Sequence, residues 1–149
     1  MTAVGILVLG YRARKFLEEG SLRTVLEAAD QISDAFRVTV SYLDNYSRDG
    51  SVQWILENAP RVDLLLAPQN LLYCEGTNVL VRFAFRRYAP DYFILVDADN
   101  AVDPGAFRAL LEYAERHPRH GMLQPLVKSS SNPQTLYSCG HRYTADHWC

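Results

Sequence analysis

Short apolar runs alternate with amphipathic stretches along the chain, and this alternation predicts βα units around a mainly parallel sheet. The first predicted strand, Ala3 to Leu9, is apolar at nearly every position, as expected of a strand covered on both faces. Later apolar runs predict four more strands: Phe36 to Leu43, Val62 to Ala67, Tyr92 to Val96 and Gly121 to Val127. We therefore expect an α/β fold with helices flanking the sheet.

Apolar residues at helical spacing lie between the predicted strands. The first such set shares one helical face and comprises Leu22, Val25, Leu26, Ala29 and Ile32. Gly20-Ser21 either breaks this helix or weakens its middle. Further helices are predicted from Ser51 to Asn58, from Asn78 to Tyr88, and after Asp103-Pro104, which resembles an N-cap followed by a proline at the first helical position.

Length and composition indicate one globular domain over residues 1–149, with a less regular tail from about 128 to 149. Of the 149 residues, 48% are hydrophobic and 21% charged, and a net charge of −2 without a basic block argues against nucleic-acid binding. The apolar run Ile6 to Leu9 is too short for a transmembrane segment or a signal peptide. Three cysteines without CxxC spacing fit a reducing cytosol, so we expect a cytoplasmic location.

Two carboxylates follow the fourth predicted strand directly, in Asp97-Ala98-Asp99. Ligand sites in open α/β sheets lie beyond the carboxyl ends of the strands, where both side chains could reach one point. Their mutual repulsion would be offset by a hard cation such as Mg²⁺ or Mn²⁺, which prefers oxygen ligands and can bridge to a diphosphate. The alternative is that both are ordinary turn residues that end the strand.

Polar side chains also follow the first two predicted strands. Asp44 could accept hydrogen bonds from a base N–H or a ribose hydroxyl, or it could be a turn aspartate bonded to its own backbone. Tyr11 offers an aromatic face for a base and Arg12 a cation for phosphate; the alternatives are a half-buried loop tyrosine and a solvated arginine. Three strands thus end in residues suited to a base, a ribose and a diphosphate.

The order of these motifs resembles the family 2 glycosyltransferases, particularly their rhamnosyltransferase-like branch. The resemblance spans about Val4 to Val127 and rests on four segments: Tyr11-Arg12, Asp44-Asn45-Tyr46-Ser47-Arg48-Asp49-Gly50-Ser51, Asn70 with Gly76-Thr77-Asn78, and Asp97-Ala98-Asp99-Asn100-Ala101-Val102-Asp103-Pro104-Gly105-Ala106-Phe107. It implies a Rossmann-like, GT-A-type sheet and an inverting sugar transfer from a UDP- or dTDP-linked donor to an unknown acceptor.

The same resemblance implies a role for individual residues. Asp44 would contact the base or the ribose, Asp97 the ribose and the metal, and Asp99 the metal, which would be Mn²⁺ or Mg²⁺. Gly76 and Asn78 would line the donor pocket; their alternatives are a turn glycine and a helix cap.

The sequence departs from the family pattern in three places. No Asn stands between Tyr11 and Arg12, and Asn70 is followed by Leu71-Leu72-Tyr73 where the family has a glycine. The C-terminal part is also short for a family that continues into an acceptor-binding half with a carboxylate base. After Glu115 the sequence offers only Asp146 for that role. The base could instead lie on another chain, either a second copy in a homo-oligomer or a partner protein. If the base is missing, the chain would be a nucleotide-sugar-binding module without turnover.

Three further hypotheses fit the residues less well. A zinc site is conceivable from the ligand types in the tail, which are Cys139, His141, His147 and Cys149. A receiver-like signalling domain would need a phosphorylatable aspartate where the third strand ends in Ala67-Pro68. A nucleotidyltransferase would need a glycine-rich basic loop, to which Gly10-Tyr11-Arg12-Ala13-Arg14-Lys15 is only faintly similar.

Overall fold

The structure, a computed structural model, describes residues 1–132 and 134–138. In this part of the chain the elements follow in the order β1 (Ala3–Gly10), α1 (Arg14–Glu18), α2 (Ser21–Asp30), β2 (Arg37–Asp44), α3 (Ser51–Asn58), β3 (Asp63–Leu66), α4 (Leu72–Tyr88), β4 (Tyr92–Asp97), α5 (Ala106–Arg116), β5 (Val127–Lys128) and β6 (Leu136–Ser138). Each of the first four strands is followed by at least one helix, as the hydrophobic pattern predicts.

The first four strands form a parallel sheet in the order β3-β2-β1-β4. The chain moves from β1 outwards to β3 and then returns to the other side of β1, so the strand order reverses between β1 and β4. Ligands bind at such a switch point, beyond the carboxyl ends of the strands. The register pairs Gly10 with Asp44 and Leu9 with Asp97, so the ends of β1, β2 and β4 meet at one edge.

Both faces of the sheet are covered at β1. One face packs against α4, and its core cluster contains Leu7, Leu43, Ala67, Leu80 and Ala84. Val8 and Tyr42 point to the opposite face, because successive side chains of a strand alternate, and they are 1% and 0% exposed. This burial explains why β1 is apolar throughout. The predicted α/β fold is confirmed for this sheet.

One predicted helix start is wrong and one predicted helix cap is confirmed. The helix predicted from Asn78 begins at Leu72, because the Asn70 Oδ1 atom accepts a hydrogen bond from the Leu72 N–H at 2.8 Å and starts the first turn earlier. The helix predicted after Asp103-Pro104 begins at Ala106. The Asp103 side chain accepts a hydrogen bond from the Gly105 N–H at 2.9 Å and its carbonyl accepts one from the Ala106 N–H at 2.9 Å, which is the predicted N-cap arrangement.

The predicted strand from Gly121 to Val127 is also wrong. Only Val127–Lys128 is a strand, and it pairs antiparallel with β6. Pro125 cannot donate a backbone hydrogen bond, and Met122 is 82% exposed, so this segment lacks both the donors and the burial of a sheet strand.

Contacts divide the chain into two compact units, Met1–Phe107 and Arg108–Cys149. The first contains the parallel sheet, and the described part of the second contains most of α5 and the β5–β6 pair. Among the described residues, no helix has the length and apolar character needed to cross a membrane. The base candidate Asp146 and the zinc hypothesis for the tail fall outside the described residues.

Candidate active site

A cleft of about 300 Å³ opens at the switch point between β1 and β4. Its lining combines residues from the ends of β1, β2 and β4 with the segment that leads into α4, and comprises Leu9, Tyr11, Ala13, Phe16, Asn45, Asn70, Leu72, Tyr73, Asp97, Ala98 and Asp99. The volume lies at the lower end of the range for small-molecule sites. Three of the predicted site residues, Tyr11, Asp97 and Asp99, meet in this cleft.

Asp97 and Asp99 enter the cleft because β4 ends in a tight turn. The Ala98 N–H donates to the Leu9 carbonyl at 3.0 Å, which continues the pairing with β1, and the Asn100 N–H donates to the Asp97 carbonyl at 3.0 Å. Burial raises the pKa of the half-buried Asp97 carboxyl, and the neighbouring charge of Asp99 raises it further. The two carboxylates therefore destabilise each other in the absence of a cation.

The cleft suits a divalent metal bound together with a phosphate group. Its lining in the described part of the chain contains two carboxylates and no Lys, Arg or His, so a diphosphate would meet negative charge there. The described residues contain no group of three His, Cys, Asp or Glu side chains placed to hold a metal. Two carboxylates completed by phosphate oxygens and water form the ligand set that Mg²⁺ takes at phosphate sites. The residues present therefore fit the metal that the resemblance implies.

Asp44 ends β2 with one free carboxylate oxygen. Oδ2 accepts a hydrogen bond from the Ser47 N–H at 2.8 Å, while Oδ1 is buried without a hydrogen-bond partner among the described residues. The residue is 3% exposed and does not line the cleft. Buried polar atoms in proteins are nearly always paired, so Oδ1 is an available acceptor. Because Asp44 does not line the cleft, its predicted contact with a base or ribose stays a prediction.

Tyr11 and Arg12 form a stacked pair beside the cleft. The guanidinium carbon of Arg12 lies 5.1 Å from the centre of the Tyr11 ring, within the range of a cation–π contact. The Arg12 backbone has a φ of +53°, and its N–H donates to the Ser47 Oγ atom at 2.8 Å. The loop after β1 is thus tied to the loop after β2. Tyr11 lines the cleft, whereas Arg12 does not.

Gly76 and Asn78 lie on the first turns of α4 and do not line the cleft. Gly76 is buried, and a Cβ atom there would lie 2.9 Å from Leu9 Cδ1 and 3.5 Å from Asn45 Nδ2. The glycine therefore allows α4 to approach two residues that line the cleft. Asn78 is exposed on the helix surface. Their predicted contacts with the donor stay predictions.

Sequence reasoning missed the hydrogen bonds that hold the segment before α4 against the cleft. Asn45, 3% exposed, donates from Nδ2 to Asn70 Oδ1 at 3.2 Å and to the Leu72 carbonyl at 3.1 Å. Its Oδ1 atom accepts from the Leu71 N–H at 2.8 Å. These contacts join segments 25 to 27 residues apart, which no periodicity reveals. Asn45 lies within the recognised motif, but only the structure shows that its amide links β2 to α4.

Tyr73 also lines the cleft, close to the carboxylates. Burial raises the pKa of its hydroxyl most, and the nearby charges of Asp97 and Cys74 raise this pKa further. A hydrogen bond with Thr77 lowers it, but by less. The hydroxyl is therefore protonated at neutral pH and can donate a hydrogen bond. The aromatic ring adds an apolar surface beside Asp97.

Residues 15–144 match the sequence profile described as glycosyl transferase family 2. Two proteins of Mycobacterium tuberculosis, from strains CDC 1551 / Oshkosh and ATCC 25618 / H37Rv, are similar in sequence; both are described as N-acetylglucosaminyl-diphospho-decaprenol L-rhamnosyltransferase. Each is 34% identical over 98 residues, which cover 61% of this chain and 32% of the relative. The chain thus spans about a third of the length of these curated relatives.

The fold is similar to that of S. aureus TarS. The crystal structure of TarS 1-349 superposes with a TM-score of 0.62 and 18% identity, covering 79% of this chain and 33% of that one. The complex of TarS 1-349 with UDP gives a TM-score of 0.64 at the same identity and coverage. The parallel sheet and its flanking helices are thus those of a GT-A-type fold. Together with the match over residues 15–144, this shows that the chain belongs to glycosyl transferase family 2.

Proposed function

We propose that this chain binds a nucleoside diphosphate sugar in the switch-point cleft, with Asp97 and Asp99 holding Mn²⁺ or Mg²⁺ against the diphosphate. The sugar would pass to an acceptor hydroxyl with inversion at the anomeric carbon. The donor is a UDP- or dTDP-linked sugar, in keeping with the UDP complex of TarS, a protein of similar fold. The acceptor of this chain is unknown.

The observation that carries the proposal is the position of two mutually repelling carboxylates in a cleft lined by no cationic side chain in the described part of the chain. Carboxylates placed in this way cost stability unless a cation joins them. A bound divalent cation would neutralise charge on the departing diphosphate. The protein's own part is to place Asp97 and Asp99 through the β1–β4 pairing and to present the Tyr11 ring to the base.

Calorimetric titration of UDP and of dTDP, each with and without Mn²⁺, tests donor binding. We expect binding that requires Mn²⁺ and weakens about ten-fold or more in Asp99→Asn, because the substitution removes one of two charged ligands. Asp103→Asn is the matched control, since it removes one exposed carboxylate four residues away and keeps the oxygen that accepts from Gly105. Metal-independent binding, or equal losses in the two variants, would contradict the proposal.

Turnover separates the enzyme from a binding module that lacks an acceptor half. In the described residues the cleft offers no carboxylate besides Asp97 and Asp99 to deprotonate an acceptor. The predicted candidate is Asp146, and Asp146→Asn tests it. We expect UDP release from a UDP-sugar when an N-acetylglucosaminyl-diphospho-polyprenol, the acceptor type named for the mycobacterial relatives, is added. Donor binding without release, with this and other acceptor classes, would favour the binding module.

A further inference from the structure

The outer surface of α4 carries a large apolar side chain that the protein leaves mostly uncovered. Phe85 is 63% exposed and lies within the last two turns of this helix. Leu80 and Ala84 form the buried side of α4, so core packing does not account for Phe85. A single exposed apolar residue is common on protein surfaces, and its surroundings therefore decide its meaning.

Arginines surround Phe85 on the helix. Arg82 and Arg86 are exposed and lie on the side opposite Ala84, because two positions along a helix correspond to a rotation of about 200°. Arg82 also precedes Phe85 by three positions, which makes the two side chains neighbours on the helix surface. Arg87 follows directly and is exposed as well. We term the surface formed by Arg82, Phe85, Arg86 and Arg87 the α4 patch.

The α4 patch is positively charged, although the net charge of the protein is −2. Residues 76–90 contain three arginines and neither Asp nor Glu. Within the part of the chain that the structure describes, Arg82 pairs with Glu75, whereas Arg86 and Arg87 have no carboxylate partner. Two of the three guanidinium groups are therefore available to an anionic partner.

The helix dipole explains only part of this pattern. Cations in the last turn of a helix are stabilised by its terminal carbonyls, which accounts for Arg86 and Arg87. The dipole does not account for the exposed ring of Phe85. Arg37 of β2 adds a further guanidinium at the same helix end, where it donates to the Tyr88 carbonyl at 3.4 Å. The positive charge thus extends beyond the helix itself.

We propose that the α4 patch binds an anionic lipid bilayer, with the arginines at the phosphate headgroups and Phe85 in the apolar boundary beneath them. Arginines near a membrane are attracted to anionic lipids, and apolar side chains of interfacial helices are buried at this depth. Neither the switch-point cleft nor the cavity beside β2 is lined by a patch residue. A convex helix surface of this kind suits a flat bilayer better than an acidic peptide, which would need a groove.

The α4 patch is separate from the candidate active site. Leu72, at the start of α4, lines the cleft, and Arg82 follows ten residues later on the same helix. About 15 Å of helix therefore lies between the cleft and the patch. Bilayer binding leaves the cleft open, and this inference does not depend on the proposed function.

Co-sedimentation of the full chain with unilamellar vesicles tests the proposal. We expect binding to phosphatidylcholine vesicles that contain about one quarter phosphatidylglycerol, and at least about ten-fold weaker binding to phosphatidylcholine alone. Each arginine contributes about five-fold, so the double variant Arg86→Gln, Arg87→Gln should bind roughly twenty-fold more weakly. Raising the salt concentration from about 0.05 M to about 0.5 M should weaken the wild type in the same way.

Matched variants separate the patch from the rest of the surface. Lys15→Gln combined with Arg23→Gln removes two exposed cations from α1 and α2, and should change binding by no more than about three-fold. Phe85→Ser should weaken binding about five-fold or more, because it removes the inserted ring. Leu56→Ser, at a 58% exposed position on α3, should have no effect. Urea midpoints equal to that of the wild type show that the variants are folded.

The outcomes decide between the possible partners. Equal binding to both vesicle types, or patch variants that bind like the wild type, would overturn the proposal. An unchanged affinity in Phe85→Ser would overturn the insertion of the ring. Binding to poly-L-glutamate but to neither vesicle would overturn the proposal in favour of an acidic protein. Because the patch and the cleft are separate, Mn²⁺-dependent binding of UDP should be the same in the patch variants as in the wild type.

Discussion

Replacing Gly10 with alanine probes the packing that underlies the candidate site. Gly10 ends β1, its carbonyl accepts the Asn45 N–H at 2.8 Å, and its register partner is Asp44. An added Cβ atom would overlap the Tyr42 hydroxyl and lie 2.5 Å from Cζ and 3.0 Å from Cε1 of the ring. Because Tyr42 is 0% exposed, its ring has no free space into which to move. The end of β1 would have to shift instead.

The expected cost lies at the upper end of the range for overpacked cores, about 3 kcal/mol. For a chain of this size, that lowers the melting temperature by roughly 6 to 12 °C. Affinity for UDP and Mn²⁺ should also fall, because a shift of β1 displaces the residues paired with it. Thermal and urea unfolding, monitored by circular dichroism, measure the loss of stability. Calorimetric titration measures the loss of affinity for UDP and Mn²⁺.

A double-mutant cycle with Tyr42→Leu isolates the cause. The smaller side chain makes room for the Cβ atom, so Gly10→Ala should cost about 2 kcal/mol less in that background than in the wild type. Gly121→Ala is the control, since no atom of the described residues lies within 4 Å of its added Cβ and its effect should stay within about 0.5 kcal/mol. Additive effects in the cycle, or a Gly10→Ala variant as stable as the wild type, would refute the steric reasoning.

Two further predictions concern carboxylates with shifted pKa values. Burial and the charge of Asp99 raise the pKa of Asp97, so Asp97→Asn should stabilise the metal-free protein at pH 7 while abolishing Mn²⁺-dependent binding. The gain in stability, measured by urea unfolding, should shrink as the pH falls toward the usual pKa of a carboxyl group. A gain that does not change with pH would contradict this prediction. Burial acts to raise the pKa of Asp49, but hydrogen bonds from Ser51 and Arg14 outweigh it and hold the pKa low. Asp49→Ala should therefore lower the free energy of unfolding, measured with urea, by about 1 kcal/mol at neutral pH and by less in acid. A loss of stability that is the same at both pH values would refute this prediction.

The sheet could be predicted from the sequence because its signal is local. The strand β1 is buried on both faces, so nearly every residue in Ala3–Gly10 is apolar, and the pattern is visible without any knowledge of the neighbours. The Asp97 and Asp99 pair was predictable for the same reason: a buried strand that ends in two carboxylates points to the carboxyl edge of the sheet. The structure places both in the cleft.

The rest depends on contacts between distant segments. The start of α4 at Leu72 is set by Asn45 and Asn70, and a leucine with positive φ carries no sequence signal of its own. The predicted contact of Gly76 with the donor stays a prediction, and only the structure shows that Leu9 also approaches this glycine closely. The failed strand over Gly121 to Val127 shows the converse, since an apolar run becomes a strand only where a neighbour accepts its hydrogen bonds.

The most direct test of the central claim is Mn²⁺-induced broadening of backbone amide signals in NMR spectra of the nitrogen-15-labelled protein, recorded with and without UDP. The account predicts selective loss of the signals of Tyr11, Asp97, Ala98 and Asp99 when UDP is present, with recovery when excess Mg²⁺ displaces Mn²⁺. The account would be contradicted if the broadening were the same with and without UDP, or if it centred on the exposed, stacked rings of His117 and His120. Either result would argue against a metal-dependent donor site at the end of β4.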